Sequence, residues 1–146
     1  MPPMQPSDFA QEAGETDQYE IMAATVALHQ SRDPQVLAFA REMIDAHTRT
    51  SQALMQAAAR SGLPPPKGVG ADRARMLMSL QSLSGPQFDK QYVTQQVVAH
   101  QGALVVQQGY AADGGDANLR QAAAAAVLII QRHLQMAQQL KAAAGG

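Results

Sequence analysis

A chain of 146 residues with a net charge of −1 and no cysteine has the size of one domain that buries its own core. These values exclude disulfides, thiolate metal sites, a cysteine nucleophile and covalent haem attachment, and they leave no basic footprint for nucleic acid. Charged residues make up only 16%, below the roughly 25% of an average domain, and glutamine fills many of the positions they would take.

Helical periodicity dominates the chain, and period-2 alternation is lacking. Residues 1–6 read as a tail, and Ser7 is placed to cap a first helix running to about Ser31. Asp33 followed by Pro34 reads as an N-cap and first-turn proline for a second helix that ends near Ser61–Gly62. A crossover over 62–85 contains a shorter helix at 71–83. "SGP" at 84–86 opens a third long helix, which "DGGD" at 113–116 breaks. Asp116 caps the last helix, to about Ala143, and 144–146 form a second tail. Four long helices of about 25 residues, each about 35–40 Å, thus make up a single domain over 7–143.

Short turns join the first two long helices and the last two, so each pair should form an antiparallel hairpin. The long connection between the pairs predicts an all-α, ferritin-like four-helix bundle with one crossover. The longest apolar run, "AAAAAVLII" at 122–130, falls far short of the ~20 residues of a membrane span. "MPPMQPSDF" lacks the charged and apolar regions of a signal peptide. The expectation is therefore either a cytoplasmic protein or a mature chain whose leader has been removed. The Ala/Gln-rich outer faces are compatible with a homodimer.

Each long helix places one ionisable group on its apolar stripe. In the first, Glu20 follows Phe9, Ala13 and Thr16 at helical spacing. In the second, His47 follows Leu37, Ala40 and Ile44; in the third, His100 follows Val93 and Val97. In the fourth, His133 lies on a stripe with Leu119, Ala122, Ala126, Ile129, Met136 and Leu140. His29 points away from its stripe and reads as solvated. Glu20 lies 13 residues before Asp33, His47 lies 14 after it, and His100 lies 14 after Pro86. These three should be level, with His133 about four residues, or ~6 Å, nearer the first turn.

A lone histidine on an apolar face is more often a hydrogen-bonded core residue than a ligand. Three at matching depth with a buried glutamate suit a mononuclear Zn, Cu, Ni or non-haem Fe site. A Glu/His hydrogen-bond network without metal is the competing expectation. Met43 and Met136 lie near the same face and are accessory candidates, although methionine at helical spacing is usually core filler.

The segments "YEIMAATVAL", "VLAFAREMIDAHTRTSQALMQAA", "FDKQYVTQQVVAH" and "RQAAAAAVLIIQRHLQMAQQL" together resemble the family called domain of unknown function 4142, exported bacterial proteins with a ferritin-like bundle. The resemblance implies export, usually to the periplasm. It also puts Glu20, His47, Asp89, His100 and His133 at the family's characteristic polar positions. The family often carries proline five residues before its last histidine; here Leu128 stands there.

Ferritin-like topology does not bring ferritin chemistry. A di-iron site needs Glu-x-x-His on two helices, and here Ile44 and Ile130 stand three residues before His47 and His133. Di-iron oxidase and iron-storage chemistry therefore lack their ligands. The functional expectation is a non-enzymatic exported bundle binding a single metal ion through Glu20, His47, His100 and His133. The alternative is a structural or stress-related interaction module.

Overall fold

Five helices account for nearly all of residues 4–144, the part described by this computed structural model. They are α1 (Pro6–Gln30), α2 (Pro34–Arg60), α3 (Ala71–Gln81), α4 (Gly85–Asp113) and α5 (Ala117–Ala143), and there is no strand among the described residues. Two of the expected caps hold: Asp33 accepts from the Gln35 amide, and Asp116 accepts from the Leu119 amide. Ser7 does not cap α1. Pro6 already occupies the first helical position, Gln5 is the N-cap, and its side chain makes no capping bond. A proline there needs no N–H partner and has its φ preset, so the helix starts a turn-fraction early. The short helix α3 stops at Gln81, where Ser82 and the Leu83 amide fold back into a turn.

Pairwise contacts give the direction of each helix. Phe9 stacks on Tyr110 at 4.0 Å between ring centroids, and the Tyr19 hydroxyl donates to Gln95 at 2.5 Å, so α1 and α4 are antiparallel. Glu42 meets His133, and Ser61 donates to Asp116 at 2.9 Å, so α2 and α5 are antiparallel as well. Helices α1 and α5 therefore run one way, and α2 and α4 the other. The link from α2 to α4 must travel the length of the bundle, which is the connectivity expected from the loop lengths.

That link is strapped to the outside of the bundle, where α3 rests on α1 and α4. Arg73 of α3 pairs with Glu12 and Glu15 of α1, and the Gln11 amide donates to the Lys67 carbonyl at 2.7 Å. Gly14 permits the closest approach: a Cβ there would lie 2.2 Å from the Cβ of Pro66.

The core has two apolar halves. One holds Ala23, Ala27, Phe39, Met43, Leu80, Phe88, Tyr92 and Ala137; the other holds Phe9, Ala13, Leu54, Ala57, Tyr110, Leu119 and Ala123. Along every long helix the sequence passes from one half to the other through a polar stretch: Asp17–Glu20, His47, His100 and His133. The division of the core is thus a buried polar layer at mid-height. The stripe of α5 is rotated from the expected one: Ala123, Ala126, Ile130, His133 and Ala137 are buried, whereas Ala122, Ile129 and Met136 are half-buried.

Candidate metal centre

The structure brings His47 of α2, His100 of α4 and His133 of α5 together at mid-height, all at most 3% exposed. Their ring centroids are 5.3–5.9 Å apart, and one nitrogen from each ring lies within 4.8 Å of the others. The expected ~6 Å offset of His133 does not keep its ring from the other two.

Each ring is held from behind. His47 Nδ1 donates to Asp17 Oδ1 at 2.9 Å, and the Thr50 hydroxyl donates to the same oxygen at 2.8 Å. His100 Nδ1 donates to the Gln96 carbonyl at 2.8 Å, one turn back along α4. His133 Nε2 donates to Glu42 Oε2 at 3.0 Å. A carbonyl and two carboxylates only accept, so these three nitrogens carry the protons. The remaining nitrogens, His47 Nε2, His100 Nε2 and His133 Nδ1, are buried and have no hydrogen-bond partner. Each presents a lone pair where water does not reach, an arrangement that costs free energy unless a cation or proton joins them.

The environment pushes the three rings apart in basicity. Burial pulls His47 down, but the Asp17 hydrogen bond and the charges of Glu20, Asp17 and Glu42 outweigh it, and its pKa is raised. His100 is lowered, chiefly by burial. His133 is lowered to about 4 by burial, against the opposing bond from Glu42. Glu42 is itself lowered, first by the His133 hydrogen bond.

Glu20 is buried at the same level, but it stands outside the three-nitrogen group. Its Oε2 lies 3.8 Å from His100 Nδ1, the nitrogen already turned to the Gln96 carbonyl. Glu20 Oε1, the Tyr92 hydroxyl and the Gln96 side-chain amide are also buried without partners. Of the accessory candidates, Met43 is fully buried in one apolar half and Met136 packs half-buried against that half. Asp89 lies some three turns below His100 and lines a cleft with Arg32, Lys90 and Lys141. His29 is exposed and bonds only the Thr25 carbonyl. Sequence reasoning missed Asp17 and Glu42, the carboxylates behind two of the rings. Asp17 sits three residues before Glu20, at helical spacing, which was the available signal.

Residues 1–140 match the profile of the domain of unknown function DUF4142. The chain belongs to the DUF4142 family. No curated protein sequence matches this DUF4142 chain. Solved structures share its fold. A DUF305 protein from Streptomyces coelicolor, inferred to be secreted, superposes with a TM-score of 0.82 at 14% identity, over 97% of this chain and 94% of its own. A DUF305 fragment from Deinococcus radiodurans gives 0.82 at 17% identity, over 97% and 99%. CopM in its Cu(I)-bound form gives 0.78 at 16% identity, over 93% and 94%. At these identities the likeness is one of fold. No helix among the described residues is long and apolar enough to cross a membrane.

Proposed function

We propose that this DUF4142 chain is an exported metal-binding bundle that holds a single transition-metal ion through His47 Nε2, His100 Nε2 and His133 Nδ1, with copper as the favoured ion. The observation that carries this reading is the set of three buried, unpartnered ring nitrogens, each presented by a ring whose other nitrogen is fixed by an acceptor. Ligand histidines in metal sites are oriented by carboxylates and carbonyls in this way. A triangle of nitrogens no more than 4.8 Å on a side needs each ring to move inward by less than about 1 Å to reach ligand distances of ~2.0–2.1 Å.

Three neutral imidazoles suit Zn, Cu, Ni or Fe. The fold shared with CopM, a protein solved with Cu(I) and with Cu(II), favours copper, as does the high affinity of nitrogen sites for Cu(II). The likeness to a protein inferred to be secreted favours export. Asp17, Glu42 and Glu20 supply negative charge around the ion, and Glu20 acts through His100.

The test is the metal content of tag-free protein after incubation with Zn, Cu, Ni and Fe(II). One ion per chain is expected, lost in His47→Ala and in His100→Ala. The hydrogen bonds behind the three rings also support a second reading, a structural polar layer in an interaction module. Absence of bound metal under all four conditions would leave that reading standing and remove the first.

A further inference from the structure

The three groups behind the rings differ in their access to solvent. The Gln96 carbonyl is internal to α4, and the Asp17 side chain is 11% exposed, at the floor of an apolar cleft rimmed by Arg49. The Glu42 side chain is 27% exposed, the most open of the polar groups touching the triad. Its Oε2 holds two partners at once: His133 Nε2 at 3.0 Å, and Arg132 Nη2 at 3.2 Å. Arg132 itself is 66% exposed. It sets a positive charge on the most exposed carboxylate bonded to the triad.

We propose that Glu42 is the uptake port of the metal centre, and that Arg132 is its removable plug, a cation that must swing off the carboxylate before a metal ion can pass along the α2/α5 seam to His133. This rests on the metal-binding reading above. An ion pair to an exposed arginine is weak, so the plug opens readily and slows uptake without blocking it. A carboxylate at the port also captures a hydrated cation before it is stripped of water, and Glu42 is more open to solvent for this than Asp17. Asp17 instead sits in a cleft otherwise lined largely by Phe9, Leu54, Ile129 and several alanines.

Stopped-flow mixing of the full chain with Cu(II), followed by its visible absorption, tests the proposal. Arg132→Gln should speed Cu(II) association about threefold to tenfold, the effect of one charge on a divalent ion at a partly solvated site. The final spectrum should be unchanged, because the Glu42–His133 bond remains. Arg132→Lys should stay near the parent rate. Arg49→Gln, a similarly exposed charge on the rim of the other cleft, should also stay near it. Equal acceleration by Arg132→Gln and Arg49→Gln would mean general charge steering and overturn the port. Acceleration by Arg49→Gln alone would put the route past Asp17, and no change in either variant would overturn the plug. Failure of the parent chain to bind Cu(II) at equilibrium would remove the metal centre itself, an outcome distinct from these.

Discussion

At His47 a proton and a metal ion compete for one nitrogen. Its Nδ1 proton is shared with Asp17, so the next proton to arrive must land on Nε2, the free nitrogen. Because the pKa of His47 is raised above its usual 6.5, this ring is the first of the three to protonate as pH falls. His100 and His133 are lowered and stay neutral further into acid. Metal affinity should therefore be flat above the raised His47 value and fall about tenfold per pH unit below it, a one-proton slope. Competition titrations over about pH 5 to 8 measure it, and a three-proton slope would contradict the assignment. Asp17→Asn and Glu42→Gln should each weaken metal binding about 10–100-fold, read by the same titration. Asp17→Asn should also move the onset of the pH dependence to lower pH, since it removes the carboxylate charge that helps to raise His47. The depth of the three histidines was legible from residue counts between turns. Glu42 was not: it points off the His47 face of α2, and its partner is 91 positions away, on a helix whose adjacency only the assembled bundle reveals.

Helix boundaries follow local chemistry where a side chain does the capping. Asp116 illustrates it, with its carboxylate accepting from the Ser61 hydroxyl and the Leu119 amide. These bonds, led by that of Ser61, hold its pKa below the usual 3.8. The stabilisation is therefore fully present above that usual value and is lost as pH falls through the lowered one. Asp116→Ala should cost about 1 kcal/mol at neutral pH, and denaturant titrations should show the difference closing in strong acid. Asp33 and Asp116 were readable as caps because each stands directly before a helical run. Ser7 had the right residue type, but Pro6 had already begun the helix. The face of α5 was misjudged by one position for a related reason. In the run Ala122–Ala126 every face carries the same methyl group, so periodicity supplies no direction there. The buried face is decided instead by α4 and α2 on either side.

The whole bundle is divided by its polar layer, and the three free nitrogens come from both hairpins. A bound ion should consequently stabilise the complete fold by about 2.7 kcal/mol when present at a hundredfold excess over its Kd. A Tm rise of about 5–10 °C is expected at this chain length, measured by thermal denaturation with and without Cu(II). The triple variant His47→Leu, His100→Leu, His133→Leu should show no such rise. Its metal-free form should be less stable than the parent, because the buried Asp17 carboxylate loses the His47 ring it is paired with. The connectivity was legible because loop lengths alone distinguish one long crossover from short ones. That crossover, an external strap outside the polar layer, has a further consequence. Cleaved between Gly62 and Gly70, the protein becomes two pieces, one with His47 and the other with His100 and His133. Neither piece alone can complete the ligand set, so their reassociation should become metal-dependent, turning an intramolecular site into a metal-responsive split protein.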